Sequence, residues 1–368
     1  MRRRDTAGAV IPPSILVKPT DARCNLACTY CFYSKKSELY PHSRVMSREV
    51  LEAMVSQFLE MTTYQASFNW QGGEPLLAGL EFYKEAVRLQ KRNRRGQHVA
   101  NAFQTNGTLL NEEWASFFKK NHFLVGISLD GPRRFHDFYR RTRSGSPTFD
   151  RVMDAISVLR AHRVQFNVLC VVNDQNVGHP EELYRFFVDM GIRYLQFVPC
   201  LEWDESAGRP YPFSVDPESY GEFLCRLFDL WKEDFPNVYI RFFNSVLSTR
   251  LGGETGLCML APRCGSYVVI ENNGDVYPCD FFVEPQLRLG NLLETHLRQI
   301  VESSAFLRFA EEKEKLPKEC LECRWLDQCF GGCQYHRRGG LRRTYFCESY
   351  RKFFSHSEQG FRELESRL

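Results

Sequence analysis

Apolar runs alternate with stretches of helical periodicity along the first two thirds of the chain. Residues 14–19 (Ser14-Ile15-Leu16-Val17-Lys18-Pro19) have the short apolar character of a buried strand. Ser47 then stands where a helix N-cap is expected, and Val50, Leu51, Met54, Phe58 and Leu59 recur at helical spacing. The same two-beat phrase repeats. Strand-like runs lie near residues 66–70, 99–104, 123–129, 164–172 and 193–198, and helical patterns near 80–93, 111–120, 148–162, 180–190 and 216–233. With the first pair this makes six β/α units by Trp231. Strands alternating with helices of this length predict a parallel sheet with right-handed crossovers. Six units fall short of a closed eight-unit barrel, so a partial (β/α)6 barrel with a lateral opening is the expected architecture; a flat doubly wound sheet is the other reading.

The polar exceptions to this pattern fall at one end of the strands. Cys24 to Cys31 follow the first strand, Gln71-Gly72-Gly73-Glu74-Pro75 the second and Gln104-Thr105-Asn106-Gly107 the third. Ser128-Leu129-Asp130-Gly131-Pro132 follow the fourth and Asn173 the fifth. These are C-terminal strand ends, where parallel α/β architectures place their chemistry.

Cys24-Asn25-Leu26-Ala27-Cys28-Thr29-Tyr30-Cys31 puts three thiols in one short loop, spaced Cys-x3-Cys-x2-Cys. Thiolates select iron–sulfur clusters, zinc or copper(I). A structural zinc or an ordinary four-iron cluster takes four protein ligands, and this loop supplies three. Either a distant residue completes the set or one iron keeps an open position. The paired glycines 72 and 73 permit close backbone approach to a ligand, with Glu74 able to receive an ammonium group; a plain strand-to-helix turn uses the same residues.

From Cys258 the composition changes. Eight cysteines follow: Cys258, Cys264, Cys279, Cys320, Cys323, Cys329, Cys333 and Cys347. Between them, 268–270 and 275–277 around Asn272-Asn273-Gly274 read as a hairpin delivering Cys279 at its end. Eight thiols make two sets of four, for two zinc ribbons or two auxiliary 4Fe–4S clusters, and spacing alone does not separate these. Cys170, Cys200 and Cys225 read as small buried hydrophobes. The expected division is therefore 1–235 for the barrel, 236–350 for the cysteine-rich domain and 351–368 for a C-terminal helix.

With 48 basic and 45 acidic residues, a net charge of +3 gives no electrostatic footprint for nucleic acid or an anionic membrane, and Arg2-Arg3-Arg4 reads as a frayed tail. No apolar run reaches the roughly 18 residues of a membrane span, and none follows the basic start as in a signal peptide. The expectation is a soluble, cytoplasmic protein, in which 14 cysteines point to metal rather than disulfides.

The three-cysteine spacing together with Gly72-Gly73-Glu74-Pro75 resembles the radical S-adenosylmethionine superfamily, and the cysteine-rich end resembles its SPASM extension. Cys24 to Tyr33, Gln71 to Pro75, Gln104 to Thr108, Phe123 to Pro132 and Tyr277-Pro278-Cys279-Asp280-Phe281 together resemble the anaerobic sulfatase-maturating enzymes over essentially the whole chain. The resemblance implies three 4Fe–4S clusters and S-adenosyl-L-methionine as cofactors. Cys24, Cys28 and Cys31 would hold the first cluster, whose open iron chelates the cofactor. Cys258, Cys264, Cys279 and Cys333 would hold one auxiliary cluster, and Cys320, Cys323, Cys329 and Cys347 the other.

It further implies that Gly72, Gly73 and Glu74 bind the cofactor's amino group and that Tyr30 sits beside the adenine, where shielding of the cluster is the plainer role. Ser128 would contact the ribose or carboxylate, Leu195 would line the adenine pocket, and Arg140 would pair with the carboxylate. A solvated hydroxyl, a core side chain and a surface ion pair are the respective alternatives. Asp280 would be the general base, beside apolar Phe281 and Phe282, unless it only binds local amides; Gln71 would hold the substrate backbone. The implied reaction begins with one-electron cleavage of the sulfonium to a 5′-deoxyadenosyl radical, which takes hydrogen from the β-carbon of a cysteine or serine in a sulfatase peptide. Loss of a proton and a second electron gives the aldehyde of Cα-formylglycine directly from serine, and from cysteine a thioaldehyde that water hydrolyses with release of sulfide; the auxiliary clusters would provide that electron's exit. The implied partners are a sulfatase polypeptide with a Cys/Ser-x-Pro-x-Arg motif and an electron donor such as flavodoxin or ferredoxin. Another SPASM enzyme, making thioether or carbon–carbon crosslinks, is the alternative function, and a zinc-ribbon scaffold the alternative class. Glu202, Asp204, Tyr211 and Phe213, after the sixth strand, are candidates for reading the substrate's flanks.

Overall fold

A computed structural model describes residues 12–39 and 45–368, so Arg2-Arg3-Arg4 lie outside the described residues. The chain forms two compact units that alternate along the sequence. One comprises the chain to Ile127, Arg140–Phe166 and Gly265–Ala310. The other comprises Ser128–Tyr139, Asn167–Cys264 and Glu311–Leu368.

In the first unit, β1 (Ser14–Lys18), β2 (Gln65–Trp70), β3 (His98–Thr105) and β4 (Leu124–Ser128) run parallel and pair in sequence order. Between them come α1 (Arg48–Met61), α2 (Leu80–Asn93) and α3 (Glu112–Lys120). The expected cap is in place: the Ser47 hydroxyl accepts from Val50 N at 3.2 Å. Helix α1 buries Val50, Leu51, Met54, Phe58 and Leu59, the positions its periodicity marked, and also Val55 and Met61. Trp70, Tyr83, Phe103 and Phe118 form a continuous aromatic core, with ring centroids 4.9–5.4 Å apart between neighbours. Within it, the indole N–H of Trp70 donates to Asn101, whose amide donates on to Gln90, so this buried polar chain is satisfied.

The second unit holds α4 (Arg133–Tyr139), β5 (Phe166–Val172), α6 (Pro180–Asp189) and β6 (Tyr194–Pro199), whereas α5 (Phe149–Ala161) belongs to the first. After β6 come the small hairpin β7 (Trp203–Asp204) and β8 (Arg209–Pro210), then α7 (Pro217–Asp234), β9 (Tyr239–Ile240) and α8 (Arg241–Arg250). Strands β5, β6 and β9 are parallel. The C-terminal helix begins at Cys347, earlier than the expected 351, and ends at Glu365. It packs along α7 through Phe228, Phe353 and Phe361. Gly360 permits this, since a Cβ there would lie 2.6 Å from the Phe228 ring.

The hairpin anticipated near Cys279 exists as β10 (Tyr267–Glu271) and β11 (Asp275–Tyr277), extended by β12 (Gly290–Asn291). Its first strand does something the alternation does not show. β10 joins the first unit's sheet parallel to β1, from Ser14 opposite Tyr267 to Lys18 opposite Glu271. Tyr267-Val268-Val269-Ile270-Glu271 is a nearly unbroken buried run, as a strand covered on both faces requires. Asp280, which follows this hairpin, thus belongs to the same unit as the three-cysteine loop.

Candidate active site and cluster-binding cysteines

Strand β1 ends at Lys18, and the chain turns through Asp21 (φ 54°) into the three-cysteine loop. The turn after β2 is bonded to this segment: Gly73 N donates to Asp21 O at 2.6 Å and Glu74 N to Arg23 O at 2.8 Å. A Cβ on Gly73 would sit 2.1 Å from Arg23 O, so no other residue fits. The close approach permitted by the glycine pair is therefore, first, an approach to the chain's own backbone.

Glu74 is fully buried. Its Oε1 accepts from Thr105 Oγ1 (2.8 Å) and Leu76 N (3.0 Å), and its Oε2 from Asn106 N (2.8 Å). The carboxylate thereby joins the ends of β2 and β3, and burial pushes its pKa up to about 7. Asn106 continues the chain of contacts to the first thiol, with Nδ2 3.6 Å from Cys24 Sγ and 2.9 Å from Asn25 Oδ1. Leu26 N also points at Cys24 Sγ, at 3.4 Å. On the other side, Ala27 N donates to Arg141 O (2.8 Å) and Arg143 Nε to Cys24 O (3.0 Å).

Arg140 is buried, which removes the surface ion pair as its role; its guanidinium lies 5.6 Å from the Tyr30 ring centroid, and Tyr30 is buried too. In the second unit, Ser128 is half-buried at the end of β4, and Leu195 is buried in β6 opposite Val168 and Ile240.

The structure brings Asp280 and Gln71 together. Tyr267 Oη donates to Asp280 Oδ1 at 2.7 Å, and Gln71 Nε2 donates to Oδ2 at 3.4 Å. The expectation of an apolar setting for this carboxylate is corrected. Consecutive side chains of the short turn Asp280–Phe282 diverge: Phe281 packs tilted against Phe32 (4.6 Å between centroids) and Phe282 edge-on against Phe309 (5.2 Å), while the carboxylate bonds to Tyr267 and Gln71. Tyr267 was not singled out from the sequence, nor were Lys18, Tyr33 and Glu271 beneath the site. Their common signal is a polar side chain at the end of a buried apolar strand or loop.

Whether these thiols suit iron–sulfur clusters can be judged from their grouping. Cys24 and Cys31 act on one another electrostatically, and burial holds the Cys24 thiol up at about 11. In the second unit, Cys333 is coupled to Cys258 and Cys264, and Cys329 to Cys320, Cys323 and Cys347. The thiols thus fall into separate groups, half-buried or buried except for the exposed Cys258, with burial raising Cys264 to about 11 and Cys329 and Cys333 to about 12. A bound metal reverses this by deprotonating them. Among the described residues no three Cys, His, Asp or Glu side chains converge on a point that would chelate one metal ion; a four-iron cube takes one thiolate per corner and needs no such convergence. The donor set fits the clusters.

One feature here was not read from the sequence. The buried ammonium of Lys313 donates to three backbone carbonyls, Cys258 O (2.7 Å), Met259 O (3.0 Å) and Ala261 O (2.5 Å). It closes the turn that carries Cys258. Cys170, Cys200 and Cys225 are buried, as expected.

The Radical SAM superfamily profile matches residues 20–187, and the SPASM profile, an iron–sulfur cluster-binding domain, matches 258–324. The chain is 41% identical over 371 residues to a serine-type anaerobic sulfatase-maturating enzyme of Bacteroides thetaiotaomicron, covering 94% of this chain and 89% of that protein. It is 40% identical over 356 residues to a cysteine-type anaerobic sulfatase-maturating enzyme of Clostridium perfringens, covering 94% and 96%. Among solved structures it is similar to native anSMEcpe with bound AdoMet and Cp18Cys peptide, with a TM-score of 0.89, 38% identity and coverage of 96% and 99%.

Proposed function

Since the chain belongs to the anaerobic sulfatase-maturating enzymes of the radical S-adenosylmethionine superfamily, we propose that it oxidises a cysteine or serine side chain in a sulfatase peptide to Cα-formylglycine. The observation that carries this reading is the pairing of Asp280 with Gln71, in the same unit as the three-cysteine loop.

When bound, the first cluster and S-adenosylmethionine supply a 5′-deoxyadenosyl radical. Cys24, Cys28 and Cys31 hold that cluster. Glu74 and Asn106 fix the loop on which Cys24 sits, and Gly72 and Gly73 present backbone to the cofactor's amino group. Tyr30, Ser128, Arg140 and Leu195 are assigned to the rest of the cofactor on the family resemblance. Gln71 holds the substrate backbone. Asp280, aligned by the Tyr267 hydroxyl, takes the proton from the substrate thiol or hydroxyl once the β-hydrogen has gone. The eight cysteines from Cys258 to Cys347 would hold two auxiliary clusters in the sets given above, with four thiolates each, as suits electron transfer rather than substrate binding. The proposed division is 1–235 for the barrel and 236–350 for the cysteine-rich part, of which Tyr267 and Asp280 join the first unit; beyond its first residue, Cys347, the final helix serves as packing. The substrate motif proposed is Cys/Ser-x-Pro-x-Arg, with an electron donor such as a flavodoxin or ferredoxin. Among the described residues no helix is long and apolar enough to cross a membrane.

The test is isotope transfer. A peptide deuterated at the β-carbon of its cysteine or serine should give deuterated 5′-deoxyadenosine together with an aldehyde product. Deuterium transfer without aldehyde, leaving a crosslinked peptide, would favour the other SPASM chemistry.

A further inference from the structure

The chemistry above makes no use of one buried cation. Lys18 ends β1 with no exposed surface, and its ammonium meets no hydrogen-bond acceptor among the described residues. It lies 4.0 Å from the centroid of the Tyr33 ring. Its partner across the parallel ladder is Glu271, whose carboxylate accepts the Tyr33 hydroxyl. The groups whose charges act on Lys18 are all anionic when ionised: Asp280, Glu271, Cys31 and Cys279. Burial draws its pKa down, and these four draw it back up.

An ammonium kept from water without a hydrogen-bond acceptor is costly, and it is tolerated there only where anionic groups nearby offset its charge. The thiol of Cys31 becomes a thiolate when it binds iron. A thiolate-ligated iron–sulfur centre is anionic, and one-electron reduction makes it more so. A fixed positive charge in a low-dielectric surrounding acts strongly on that step. By contrast, the Asn106 amide and Leu26 N–H at Cys24 carry no net charge.

We propose that Lys18 is a positioning residue for electron uptake: its buried charge makes the centre held by Cys24, Cys28 and Cys31 easier to reduce. The step adds one electron from a low-potential donor; no bond breaks and no proton moves. This inference rests on the proposed function only in taking those three cysteines as ligands of a redox centre.

The experiment compares Lys18→Met, which keeps the bulk and loses the charge, with Lys18→Arg, which keeps the charge. Both are made in the full chain with all clusters reconstituted and iron content matched to wild type. The reduction potential is read by electron paramagnetic resonance from the signal that changes on adding S-adenosylmethionine, which marks the first cluster. K18M should move that potential to more negative values, and K18R should leave it near wild type. With dithionite, 5′-deoxyadenosine formation by K18M should fall at least tenfold, and a stronger reductant, titanium(III) citrate, should recover most of the loss.

An unchanged potential in K18M, an equal shift in K18R, or a loss that the stronger reductant does not recover would overturn the proposal. Lys18→Gln replaces K18M should the latter not retain iron. If both uncharged variants lose iron while K18R holds it, the charge serves cluster assembly and the tuning role is overturned. Failure of the functional reading looks different: wild-type enzyme would cleave S-adenosylmethionine normally and leave the sulfatase peptide unoxidised, with the Lys18 shift intact.

Discussion

At the end of β1, the three thiols lie within Cys24–Cys31, and the loop and its lead-in are fastened by backbone and amide groups, Gly73 N, Asn106 and Ala27 N, together with the exposed guanidinium of Arg143 on Cys24 O. At the far end of the chain the thiols are dispersed from Cys258 to Cys347, and the turn carrying Cys258 is closed by the buried ammonium of Lys313. Cysteines adjacent in sequence have their geometry set largely by loop spacing, so contacts that are mostly neutral, with one exposed cation, hold them. Ligands brought from distant segments need stronger anchors, and a buried cation spanning three carbonyls is one. On the proposed ligand sets the same contrast would separate what each region does chemically: three ligands would leave an iron open, and four would not.

The sharpest way to break this comparison is to remove one region's ligands. The triple variant of Cys24, Cys28 and Cys31 to Ala should retain the iron of the auxiliary clusters and lose 5′-deoxyadenosine formation to background, measured by chromatography after anaerobic reduction. Next in size is Asp280→Asn, which should keep iron content and cofactor cleavage while peptide oxidation falls ~100- to 10,000-fold, the range for a lost general base. Lys313→Met addresses the other region. Loss of three hydrogen bonds from a buried ammonium should cost about 2–4 kcal/mol, read as a lower denaturation midpoint, with iron lost from the auxiliary sites and not from the first cluster.

The smallest effect concerns the neutral fastenings at β1 and depends on pH. Because burial raises Glu74 from 4.5 to about 7, the folded state holds this proton more tightly than the unfolded one. Its contribution to stability is complete below the ordinary carboxylate pKa and is lost as pH rises through about 7, by up to about 3 kcal/mol in the cluster-free chain. Denaturant midpoints compared between about pH 5 and pH 8 should therefore fall further for the wild type than for Glu74→Gln.

Much of the fold was legible because its signals are local. The six strand–helix units show in the periodicity, and Ser47 caps the helix it precedes. The three-cysteine loop and the Gly72–Gly73 turn were legible for the same reason: spacing and glycine chemistry are written into contiguous residues. What the pattern could not convey is pairing at a distance. Nothing in Tyr267–Glu271 states that this strand lies against β1 rather than only against its hairpin partner, and that pairing sets Lys18 opposite Glu271. The auxiliary ligand sets interleave along the chain, so spacing left them open and only the family resemblance ordered them. Glu74 and Asp280 were both recognised as site residues, but their surroundings were not foreseen, because hydrogen-bond partners such as Thr105, Asn106 and Tyr267 come from other strands.

The central claim is that a vacant iron position and one carboxylate together convert a peptide side chain to an aldehyde. Anaerobic incubation of the reduced enzyme with S-adenosylmethionine and a Cys-x-Pro-x-Arg peptide, followed by mass spectrometry, tests it most directly. The predicted product has lost two hydrogens and exchanged sulfur for oxygen, and it reacts with a hydrazine reagent. A peptide returned unchanged while the cofactor is cleaved, or one that loses two hydrogens but keeps its sulfur in a crosslink, would contradict it.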